Sequence, residues 1–156
     1  MAFKNFKIWR GKLPHWRAEG VTYFVTFRHR RSLDLAERNV LLRLLIKPDG
    51  RRWDLLIACV LPEKTDLIFR VLDAPSGEPY ELSEIVEKAK AKAGKLIIKK
   101  SGERWPPFYN ESYDRILRDE NELEERWEEI FESPSTYELA EDPEEYGSLW
   151  VADAPS

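Results

Sequence analysis

Alternating and helical periods divide the chain from residue 21 onward. Val21, Tyr23, Val25 and Phe27 alternate with Thr22, Phe24 and Thr26, nearly all β-branched or aromatic, which predicts a strand. Asp34 then stands as a helix cap, and Val40, Leu41, Leu44 and Leu45 fall on one face of a helix that includes Arg38 to Ile46. Pro48-Asp49-Gly50 makes a turn. Trp53–Leu61 is a short, nearly continuous apolar run, the pattern of a buried strand. Pro62-Glu63 breaks it. Thr65–Val71 alternates again, with Leu67, Phe69 and Val71 on one side and Asp66, Ile68 and Arg70 on the other, so the two strands form a hairpin. Ala74–Pro79 reads as loop, Leu82 to about Lys92 as a helix interrupted at Gly94, and Ser101–Pro107 as loop. Tyr113–Leu117 is a last strand. Asp119 caps a helix whose Leu123, Trp127, Ile130 and Phe131 share a face, with Pro134 as its stop. Asp142–Trp150 is an acidic tail with two aromatic anchors, Tyr146 and Trp150.

The order strand, helix, strand, strand, helix, strand, helix is the split βαβ pattern. It predicts an α+β fold: a ferredoxin-like antiparallel sheet with helices on one face, plus a C-terminal helix. The 156 residues are read as a single domain, with an acidic tail over about 135–156. The fold hosts many functions and selects none of them.

Charge divides the chain more sharply than hydropathy does. Residues 1–100 hold 21 Lys+Arg and 12 Asp+Glu; residues 101–156 hold 4 and 17. The front can attract phosphate and the back repels it, a split hidden in the net charge of −4. One cysteine, Cys59, excludes a disulfide framework and a cysteine zinc site within the chain. No apolar run is long enough to span a membrane, and MAFKNFKIWRGKLPHWR lacks the apolar block of a secretory signal, so the cytoplasm is the expected compartment.

Several segments, taken in order, resemble the small single-tyrosine transposases of the HUH class, the REP-associated tyrosine transposases in particular. They are LPHWRAEGVTYFVTFR (Leu13–Arg28), CVLPEKTDLIF (Cys59–Phe69), YELSEIVEKAKAKAGK (Tyr80–Lys95), FYNESYDRILRDENELEERWEEIFESP (Phe108–Pro134) and EDPEEY (Glu141–Tyr146). ESYDRILRDENEL, at its distance from LPEKTDLIF, is the most specific of these pieces. The resemblance implies a strand carrying two histidines one residue apart, which hold a divalent metal on the scissile phosphate. It also implies a tyrosine on the last helix that attacks that phosphate, and a polar metal ligand one turn later.

This sequence departs at each of those places. Lys64 and Asp66 stand at the two histidine positions, Glu129 at the tyrosine and Ser133 at the polar ligand. A protonated lysine does not ligate a metal, and Glu122, Glu125, Glu129 and Glu132 lie along one stripe of the helix, where they repel a phosphodiester. The expectation is therefore a transposase-like scaffold with no catalytic residues, metal or cofactor, in which Lys64 pairs with Asp66 or Glu129. In a relocated active site the candidate nucleophiles are Tyr113, whose bland role is packing, and Tyr137. The candidate ligands are His15 and His29, whose bland role is surface or capping.

The function expected is binding of structured single-stranded (hairpin) nucleic acid, DNA or RNA, without cleavage. Its candidate residues are Arg28, Arg30 and Arg31 after the first strand, the lysine run Lys88, Lys92, Lys95, Lys99 and Lys100, the aromatics Trp105 and Tyr109, and Arg115. The alternative is a protein-interaction or assembly subunit that meets a basic protein partner through the acidic helix and tail; a third reading is residual strand transfer through relocated residues. A monomer and a homodimer are both compatible with the resemblance.

Overall fold

A computed structural model describes residues 21–152. Strand β1 (Thr22–Arg28) pairs antiparallel with β3 (Lys64–Val71) on one side and with β4 (Tyr113–Leu117) on the other. Strand β2 (Trp53–Val60) lies against β3, and β5 (Leu149–Val151) against β2, so the sheet order is β4-β1-β3-β2-β5. Helices α1 (Leu35–Ile46) and α2 (Leu82–Ser101) connect β1 to β2 and β3 to β4. The sheet is antiparallel throughout, and the α+β ferredoxin-like expectation holds.

The period of two in the strands sorts their side chains onto two cores. Val25, Phe27, Leu55, Leu67 and Phe69 face α1 and α2, where Leu41, Leu45, Val86 and Ala93 meet them. Phe24, Ile57, Cys59 and Ile68 face the opposite way, onto Leu123, Trp127 and Ile130 of α3 (Glu120–Thr136). The C-terminal helix thus covers the second face of the sheet. An irregularity in β2 between Leu55 and Ile57 turns both Leu56 and Ile57 toward α3, which is why that strand reads as nearly continuous apolar residues.

Three boundaries differ from the sequence expectation. Helix α2 runs unbroken through Gly94 to Ser101. Gly94 is a point of close approach: a Cβ there would lie 3.0 Å from the Pro106 side chain. The helix stops at Gly102, which takes the left-handed conformation (φ 75°). Helix α3 continues past Pro134 to Thr136. Proline has no N–H for the carbonyl four residues back, and the Ser133 hydroxyl donates to that Ile130 carbonyl instead, at 2.7 Å. Finally, the tail contributes a strand. Tyr146 is buried and donates its hydroxyl to the Val60 carbonyl at 2.8 Å, and Leu149–Val151 closes the β2 edge.

Candidate functional site

A cavity of about 860 Å³ opens between α3 and the sheet face it covers. Alternation on β1, β3 and β4 delivers Phe24, Lys64, Asp66 and Arg115 to it, and α3 supplies the wall. Among the described residues, seven carboxylates and three cations line it. Its formal charge is therefore strongly negative.

At its floor Lys64 Nζ lies 3.2 Å from Asp66 Oδ2. Asp66 is buried and Lys64 half-buried. Burial disfavours the Lys64 ammonium, but the Asp66 carboxylate and the Tyr137 hydroxyl outweigh it and hold its pKa above the ordinary lysine value. The lysine stays charged. Glu129 makes its ion pair elsewhere, with Arg126 one turn back on its own helix at 3.0 Å, and is mostly exposed. Arg126 in turn stacks over Phe24, 4.4 Å from the ring centre. Of the two partners expected for Lys64, Asp66 is the one the geometry provides.

These residues do not fit the divalent metal that the resemblance implies. An ammonium stands at one ligand position and neutralises the carboxylate at the other. The Ser133 hydroxyl at the third is turned back onto the Ile130 carbonyl, with the Cys59 sulfur 3.6 Å away. Asp66 Oδ1 has no hydrogen-bond partner among the described residues, yet a dication placed there meets the Lys64 ammonium on the neighbouring oxygen. Cys59 is buried, and burial pushes its thiol up to about 12, so it is no nucleophile.

The relocated candidates separate. His15 lies outside the described residues. His29 is buried rather than at the surface: Nδ1 lies 2.8 Å from the Pro62 carbonyl and Nε2 2.8 Å from Thr65 Oγ1, so both nitrogens are engaged in tying β1 to the β2–β3 turn. Burial is the main cause that lowers its pKa to about 4. Tyr113, for which packing is the expectation, is 58% exposed at the start of the edge strand β4. Tyr137 enters the cavity, with Lys64 Nζ 5.7 Å from its ring centre.

The cations fall on two sides of the sheet. Arg115 faces the acidic cavity and pairs with Glu122 at 3.3 Å. Arg31 is held between Glu37 and Glu103, both at 2.6 Å, which raises its pKa. Lys90, inside the lysine run, is buried; it donates to the Tyr109 carbonyl at 2.7 Å and so anchors the 109–112 segment on α2. Arg28 and Arg30 remain exposed. Arg30 lies over the Tyr109 ring at 5.1 Å, and Tyr109 N–H donates to the Arg28 carbonyl at 3.2 Å, so strand end and aromatic form one edge. Trp105, 62% exposed, carries Arg104 over its ring at 5.4 Å. Lys88, Lys92, Lys95 and Lys99 recur at i, i+4, i+7 and i+11, an outward stripe on α2, and Lys100 is exposed beside its end. Sequence reasoning missed Lys47, Arg51, Arg52 and Arg104. The first three flank the Pro48-Asp49-Gly50 turn, a visible basic cluster, but only the packing of α1 on α2 brings them to the lysine stripe.

The topology of the described residues defines the class: a ferredoxin-like sheet with two helices on one face and a third laid over the other. No protein-family model matches the chain, and neither does any curated protein. Among solved structures it is similar to a REP-associated tyrosine transposase bound to a REP hairpin, with a TM-score of 0.66 and 15% identity, covering 86% of this chain and 79% of that one. At that identity the shared property is the fold, a distant structural relationship.

Proposed function

We propose that this chain binds structured single-stranded nucleic acid of the hairpin type without cutting it. The observation that carries the reading is the exposed edge at the end of β1: Arg30 over Tyr109 and Arg104 over Trp105, beside Arg28. Exposed rings offer platforms for unpaired bases, and the arginines reach phosphates. The lysine stripe of α2 extends the positive surface. The similar transposase was solved with a hairpin, which supports the same ligand class. Lack of cleavage rests on residue identity: Lys64 pairs with Asp66 where two metal-binding histidines would stand, and Glu129 replaces the attacking phenol among other carboxylates.

An electrophoretic mobility assay over a salt series, with a labelled DNA or RNA hairpin carrying a single-stranded tail, tests the reading. Retention at moderate salt is expected, with loss on Lys99→Glu combined with Lys100→Glu and weakening on Tyr109→Ala. No retention of any nucleic acid refutes it and favours the second reading, a subunit whose acidic cavity receives a basic protein segment, a role the excess of carboxylates there supports. Incubation of labelled single-stranded DNA with Mg²⁺ or Mn²⁺ tests the inactive state. A covalent adduct that disappears in Tyr137→Phe overturns it, since Tyr137 shares the cavity with Lys64.

A further inference from the structure

On the side of the molecule opposite the acidic cavity, the α1–β2 turn and the first half of α2 enclose a small groove. Its volume is about 90 Å³. Leu44, Pro48, Ile85 and Ala89 form its floor, and Lys47, Arg51, Arg52, Lys88 and Lys92 stand around it. Among the described residues, no carboxylate lines it. Arg52 is steadied over the Tyr80 ring at 5.5 Å, and Arg51 by the Lys47 carbonyl at 3.4 Å. Lys88 and Lys92 are a like-charged i, i+4 pair, an arrangement that helix stability alone disfavours. Five cations around one concave site whose described lining holds no carboxylate suit a multiply charged anion.

From this groove the stripe Lys88, Lys92, Lys95, Lys99 runs along α2 for about 16 Å, toward Gly102 and the loop that carries Arg104 and Trp105. That span covers several backbone phosphates of a nucleic acid. We infer that the groove between the α1–β2 turn and α2 is a second phosphate-binding anchor, so that a bound nucleic acid crosses the helix layer, from the Tyr109–Trp105 edge to Arg51 and Lys88, and does not enter the α3 cavity. The inference rests on the functional reading above and adds the route and the far contact. It also reconciles that reading with a cavity of the wrong sign: the acidic face and the binding face are opposite sides of one sheet.

Fluorescence anisotropy with a labelled tailed DNA hairpin, over a KCl series, tests the route. Arg51→Glu with Lys88→Glu is expected to weaken binding at least tenfold and to make the slope of log K against log[KCl] shallower by about 2. Arg118→Glu, a charge reversal at an exposed position outside both the groove and the stripe, is expected to stay within about twofold of wild type. Circular dichroism melting checks that both variants are folded. Wild-type affinity and slope in the folded groove variant, with weakening in Tyr109→Ala, overturns the anchor and leaves the functional reading standing. Equal loss in Arg118→Glu also overturns it, since the effect then follows net charge and not place. Failure of the wild-type protein to bind any hairpin even at low salt overturns both.

Discussion

Mild acid should unlock His29. Its Nδ1–H donates to the Pro62 carbonyl, so Nε2 is the acceptor for the Thr65 hydroxyl, and the neutral ring satisfies both. Burial is the largest influence on the imidazole and takes its pKa from 6.5 to about 4; Pro62 and Asp66 oppose that and Lys90 reinforces it. In the unfolded chain the ring gains its proton near pH 6.5, in the folded chain only near 4. Between those values the unfolded state holds more protons, so stability falls as pH falls. Integrated over that window, the single group removes about 2 kcal/mol between pH 7 and pH 5, and about 3 kcal/mol by pH 4. Arg31 holds the Glu37 carboxyl below its ordinary value and, with Ser101, takes Glu103 to about 2; both therefore lose their contribution only at more acid pH. Urea unfolding at pH 7, 6 and 5 of wild type and of His29→Asn is the assay. Asn keeps an N–H for Pro62 but does not titrate. Wild type should lose about 2 kcal/mol more than the variant between pH 7 and 5. Equal losses, or an NMR titration that places His29 near 6.5, would show that burial does not hold the ring neutral.

Three further outcomes are expected. Lys64→Met strands the buried Asp66 carboxylate and should lower stability by about 1–2 kcal/mol, less than for a fully buried pair because Lys64 is half-exposed; adding Asp66→Asn should restore most of it, read from denaturant midpoints. Ser133→Ala removes the donor that serves the Ile130 carbonyl and should cost about 1 kcal/mol, whereas Ser133→Ala with Pro134→Ala supplies a backbone N–H again and should regain part of it. Gly102→Ala meets no neighbour but forces a left-handed alanine at the end of α2, and should lower Tm by several degrees, for about 1 kcal/mol.

Most of the framework was legible because it is local. Alternation in Val21–Phe27 and Thr65–Val71, the Asp34 and Asp119 caps and the apolar face of α3 all depend on neighbours within a few residues, and β4 lies at Tyr113–Leu117 as read. Two of the differences are places where distant chain decides: Gly94, which reads as a break, is a close approach to Pro106, and Leu149–Val151, which reads as tail, completes the sheet against β2. The third is local but atypical: Pro134 reads as a stop and is accommodated by the hydroxyl of its neighbour Ser133. The Lys64–Asp66 pair could be anticipated, since residues two apart on a strand share a face.

The order of elements, the division into a basic front and an acidic back, and the residue types at the would-be catalytic positions can all be read along the chain. Which charges act together depends on folding. It committed Arg31 to Glu37 and Glu103, buried Lys90, and joined Lys47, Arg51 and Arg52 to Lys88 and Lys92 across two helices. Charge adds over space while the chain spells it out along a line: a sheet with helices on both faces sends cations close in sequence to opposite sides, and gathers distant ones around one groove.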